Sequence, residues 1–114
     1  MSTRPGDEPV RELVFVVDIT SFTKGGFLGS TTFRGRKLDI EFDDGDGGVS
    51  LDEETAALLG AKKGSPLSMI VEDERTVIVN SEVAQVGKKV RISDAKVYYT
   101  VGREGGAVVR VRPR

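Results

Sequence analysis

The chain has 114 residues and a mass of 12.3 kDa, one domain's worth of sequence, with 17 basic against 18 acidic side chains. It contains no His, Cys or Trp. A disulfide framework, a thiol nucleophile, an imidazole base and a Cys/His zinc or haem site are therefore excluded.

Residues 1–10 combine Pro5, Gly6 and Pro9 with Asp7 and Glu8, the composition of a flexible N-terminal arm ahead of a single domain over 11–114. Met1 to Pro9 carries no signal-peptide pattern, and the longest apolar run, Leu13 to Val17, is too short to span a bilayer. With Cys absent as well, the expectation is a cytoplasmic protein without a membrane partner.

Glu12 to Thr20 is β-branched, aromatic and apolar on both faces in its middle, which predicts a strand covered on both sides. Lys24-Gly25-Gly26 gives a turn, and Ser30 to Phe33 a second strand. Leu38, Ile40 and Phe42 then alternate with Lys37, Asp39, Glu41 and Asp43, the signature of a half-buried strand with a charged outer face. A Gly/Asp loop from Asp43 to Gly48 closes it. One short helix is predicted near 52–59: Asp52, Glu53 and Glu54 complement its N-terminal dipole, and Gly60 stands at its C-cap.

Strands are predicted again at Leu67–Val71, Thr76–Val79, Glu82–Val86, Val90–Ile92, Lys96–Val101 and Val108–Arg112, with turn signals between them, Asn80-Ser81 among them. Short strands at that spacing, with 16 Val and 14 Gly, predict an all-β fold, a small OB-like or sandwich-like barrel of about seven to nine strands. The expected core is Leu13 or Val14, Phe15, Val17, Leu38, Ile40, Phe42, Leu58, Ile70, Val77, Val79, Val90, Ile92, Val101, Val109 and Val111.

Motifs for catalysis are weak. Gly60-Ala61-Lys62-Lys63-Gly64-Ser65 has the ingredients of a phosphate loop at the wrong spacing, and reads as a helix cap and a basic turn. Asp44-Gly45-Asp46-Gly47-Gly48 starts like a calcium loop but lacks the later ligands, with Thr55 where a bidentate Glu belongs. Asp39 and Glu41 share a strand face, yet 7 aromatic residues and no Trp give a glycosidase groove no platform. No catalytic, cofactor-binding or metal residue is assigned, no cofactor is expected, and an enzyme is the least expected class.

Surface chemistry is richer. The stretch from Met1 to Ala57 holds 6 basic and 12 acidic residues, and that from Leu58 to Arg114 holds 11 and 6. This describes either a dipolar surface or, more simply, two halves interleaved in one barrel. Arg110, Arg112 and Arg114 share a strand face by parity, Lys89 and Arg91 form a second such pair, and one of Tyr98 and Tyr99 points outward if they lie on a strand. A sequence pI near 5.5 weighs against nucleic acid, so a solvated or protein-facing basic edge is preferred. Phe27 and Leu28, flanked by Gly25-Gly26 and Gly29, form either an exposed apolar tip or a cap on the barrel's end. The C-terminal strand, ending in Pro113, is a candidate edge for pairing with a sister subunit. Phe27, Leu28, Lys89, Arg91, Tyr98, Arg110 and Arg112 are accordingly the candidate interaction residues.

Three family resemblances bear on this reading. Val49 through Leu59-Gly60-Ala61-Lys62-Lys63-Gly64 to Thr76-Val77-Ile78-Val79 resembles the AbrB swapped-hairpin pattern, with Asp52 where that family has Pro; it implies a shared helix-to-strand connection. Phe15 to Gly26, Lys37 to Phe42, Leu67 to Val71 and Tyr98 to Arg110 resemble in order the small eighth subunit of eukaryotic and archaeal RNA polymerase, an OB-type barrel. The stretch Leu13 to Asp43 and the terminal strands, in a chain whose 31% charged residues and lack of Cys suit a thermophilic protein, resemble arcadin, the first of the small proteins encoded with the archaeal actin homologue crenactin. That last resemblance implies a non-enzymatic accessory of an actin-like cytoskeleton, with the filament or its accessory proteins as partners; the exposed strand edge and charged faces themselves predict a protein-interaction module that forms homo-oligomers. A polymerase subunit or nucleic-acid-binding barrel is the alternative.

Overall fold

The computed structural model describes residues 11–114; the expected arm over 1–10 lies outside them. Eight strands run in chain order: β1 (Leu13–Thr23), β2 (Gly26–Phe33), β3 (Arg36–Asp43), β4 (Gly48–Asp52), β5 (Pro66–Glu72), β6 (Thr76–Gly87), β7 (Val90–Ser93) and β8 (Gly106–Pro113). They close into a barrel in the order β1-β2-β3-β7-β4-β6-β5-β8, as the strand-rich sequence predicts. Two helices complete it, α1 (Glu53–Leu59) between β4 and β5, and α2 (Ala95–Glu104) between β7 and β8.

Helix α1 forms where the charge pattern places it. The Asp52 carboxylate accepts the Thr55 N–H at 3.1 Å, and Gly60 closes the last turn in the left-handed conformation at φ 65°. Seven residues cannot hold a helix alone, and burial of Ala56 and Leu59 against the barrel holds this one.

Helix α2 replaces the strand predicted at Lys96–Val101. Its Val and Tyr content favours a strand, but two caps decide otherwise: Asp94 accepts the Val97 N–H at 3.0 Å, and Gly105 adopts φ 76° at the far end. Val97 and Val101, one helical turn apart, then become fully buried across the barrel's end.

Strand β4 fills the stretch between the Gly/Asp loop and the predicted helix, with Val49 and Leu51 pointing inward. The Asn80-Ser81 turn is absent, and β6 runs unbroken through it with Ser68 Oγ bonded to Asn80 Oδ1 at 3.0 Å. Strand β1 is covered on one side only: Leu13, Phe15 and Val17 are buried, whereas Val14 and Val16 face outward. Along β5 the inward residues are Leu67, Met69 and Val71, so Ile70 belongs to the outer face, and Leu38, Leu58 and Val77 are half-buried. Close backbone approach fixes one glycine absolutely: a Cβ on Gly26 would lie 2.2 Å from the Phe42 carbonyl oxygen.

Candidate functional site

Phe27 caps the barrel and is no exposed tip. It is 2% exposed, with its ring stacked between Phe42 at 4.8 Å and Tyr98 at 5.1 Å. Leu28, the next residue on β2, is half-buried on the other face. The exposed aromatic of the hairpin is Phe22, 74% exposed, which overhangs the rim with its edge toward Phe27 at 6.2 Å. Tyr98 is half-buried on α2, and Tyr99 beside it faces outward. Both tyrosines sit on a helix, so the strand parity argument for them does not apply.

Lys89 and Arg91 flank the start of β7. Lys89 Nζ stands 3.7 Å from Glu41, while Arg91 grips Asp43 with two nitrogens at 2.6 and 2.8 Å. Burial pushes the Asp43 carboxyl upward, but hydrogen bonds from Ser93 Oγ, the Gly45 N–H and Arg91 outweigh it and hold the group below the ordinary carboxylate value. Ser93 Oγ also accepts the Gly47 N–H at 3.1 Å. This cluster pins the 44–47 loop over the end of β7, a structural task.

Arg110 and Arg112 do share the outer face of β8, but β8 offers no free edge, since β1 and β5 pair with it on either side. Arg110 bridges Glu12 at 2.6 Å and Glu72 at 3.2 Å, and Arg112 bonds the second Glu12 oxygen. Hydrogen bonds from Arg110 and Arg112 hold the Glu12 carboxyl below its ordinary value, and Glu12 and Glu72 raise that of Arg110. The basic stripe is thus largely neutralised at its centre.

Around this network the register assembles a face that parity on single strands does not reveal. Val14 pairs with Arg110, Arg110 with Ile70, and Ile70 with Ile78, one outward row across β1, β8, β5 and β6. The next row runs Val16, Val108, Glu72 and Thr76. Three strand spacings make each row about 14 Å long, and two residues along a strand separate the rows by about 7 Å. Val16 is 60% and Ile78 64% exposed, with Val14 at 40%. Large apolar side chains thus stand in water beside a pre-formed ion-pair network.

No protein-family model, curated protein or solved structure matches the chain. The face itself therefore carries the functional argument. Among the described residues no three Asp or Glu side chains converge to hold a metal ion, and no helix is long and apolar enough to cross a membrane.

Proposed function

We propose that the chain is a non-enzymatic protein-association module that docks through the outer wall of β1, β8, β5 and β6. The observation that carries the reading is the double row centred on Arg110, with Val14, Val16, Val108, Ile70 and Ile78 exposed or half-buried around it. Two rows of about 14 Å cover an area well below the ~800 Å² per partner of a stable interface, so the docking is with one secondary-structure element of a partner and reversible. The resemblance to arcadin supplies the setting, an accessory of the crenactin filament in an archaeal cytoplasm. The alternative, a polymerase or nucleic-acid-binding barrel, draws less support, because Glu12 and Glu72 tie up the Arg110 and Arg112 cations that phosphates would need.

Co-sedimentation with polymerised crenactin tests the reading. Wild-type protein is expected in the pellet, and Val16→Lys/Ile78→Lys in the supernatant with unchanged folding. Equal pelleting of the two removes the face from the proposal; absence of wild type from the pellet removes the cytoskeletal setting.

A further inference from the structure

Strand β3 pairs with β2 along its whole length, but β7 joins its other side only from Ile40, opposite Val90. Among the described residues no strand pairs with the outer edge of Arg36–Asp39. Where β7 is present it separates β3 from β4, so those two strands stand two strand spacings apart, about 9.6 Å. Upstream of Val90 the chain leaves this line through Gly87, Lys88 and Lys89 to reach β6. A slot one strand wide remains between Arg36–Asp39 and the Asp52–Thr55 start of α1.

The slot is open space of about 300 Å³, with Phe33 and Leu38 lining it beside Arg36 and Asp52. A second cleft of about 340 Å³, which shares Lys37 and Leu38 with it, lies between Lys37 and the Lys88-Lys89 turn. Arg36 and Glu54 bond across the slot's far end. Lys37 and Lys88 are both exposed, and neither enters an ion pair among the described residues.

We propose that this slot receives an extended acidic segment of a partner protein as an added strand on β3. In an antiparallel edge, alternate residues turn both N–H and C=O away from their neighbour, so Arg36–Asp39 presents a short ladder awaiting a partner. Side-chain alternation then specifies the segment. Positions level with Lys37 face outward toward Lys37 and Lys88 and suit Glu or Asp; positions between them face Leu38 and Phe33 and suit Val or Ile. A polyphosphate backbone suits the slot poorly, because it carries no amide groups with which to complete the ladder. The slot shares no residue with the outer wall, so the two proposals stand independently.

The test uses a fluorescent hexapeptide alternating Glu and Val, with anisotropy and amide NMR shifts as readouts. Binding is expected with shifts at Lys37, Leu38 and Asp39, and none once alternate peptide amides are N-methylated. Lys37→Glu/Lys88→Glu, at two exposed positions, is expected to leave the melting temperature unchanged and to weaken binding about tenfold. Val16→Lys/Ile78→Lys leaves it unchanged. Equal binding of the N-methylated or a Lys/Val peptide, shifts confined to the outer wall, displacement by oligothymidylate, or no shift at millimolar peptide each overturns the proposal.

Discussion

Phe27→Ala separates the two roles that the Gly25–Gly29 segment allows. If Phe27 is an exposed docking tip, truncation leaves stability unchanged; if it caps the barrel, truncation opens a cavity. The ring is 2% exposed and stacks on Phe42 and Tyr98 at 4.8 and 5.1 Å. Phe→Ala at such a site costs about 3–5 kcal/mol, and each lost aromatic pair accounts for roughly 0.5–1.5 of it. A domain of this size has about 5–15 kcal/mol in total, so the variant retains at best a modest margin. At about 4–8 °C per kcal/mol the melting temperature falls by at least ~12 °C. Leu28→Ala, on the half-buried opposite face, costs less than about 1.5 kcal/mol. Urea unfolding followed by circular dichroism measures both. Equal costs for the two variants, or a larger one for Leu28→Ala, would refute the inward placement of Phe27 and the cap built on it.

Gly26→Ala is expected to destabilise the β1–β2 hairpin severely, by more than about 2 kcal/mol, since its Cβ would overlap the Phe42 carbonyl; thermal melting reads this directly. Asp94→Ala removes the cap of α2 and costs about 1 kcal/mol, while Asp94→Asn retains most of it. The folded-state value of Glu12 lies below its ordinary 4.5, so its contribution is complete above that pH and is lost as pH falls through the folded value. Glu12→Gln should therefore be less stable than wild type at neutral pH, and the gap should narrow below about pH 4.5 in a pH series of melting temperatures. A gap that stays constant to pH 2 contradicts the Glu12–Arg110–Arg112 network.

Alternation in β3 was legible because each residue there decides its own face: Leu38, Ile40 and Phe42 could not all face water. The same logic misplaces Ile70, because Leu67, Met69, Ile70 and Val71 are apolar at both parities and only the pairing with β6 and β8 selects the inward set. Val97 to Val101 misleads differently. Strand propensity and helix caps conflict there, and burial of Val97 and Val101 across the barrel's end settles the conflict in favour of the caps. The proposed docking face lies further from the sequence still. Val14, Ile70, Ile78 and Arg110 come from four strands, and no periodicity within one segment relates them.

The closing of the barrel explains why both proposed surfaces exist. A closed sheet has one inside, already filled by Phe15, Phe27, Met69 and their neighbours, so apolar residues beyond that core must stand on the outside. Val14, Val16 and Ile78 are such a surplus, and they gather on the wall where β1, β8, β5 and β6 pair without a register shift. Closure is weakest at the opposite point, where among the described residues four-residue β7 is the sole link between β3 and β4. A strand too short to span its neighbours leaves main-chain groups without partners, and these are what an incoming segment can use. Continuous pairing thus produces a surface for side-chain docking, and interrupted pairing one for main-chain docking. The two call for different variants: charge on the wall abolishes the first, whereas the second responds to Lys37 and Lys88 and to the peptide's own amides.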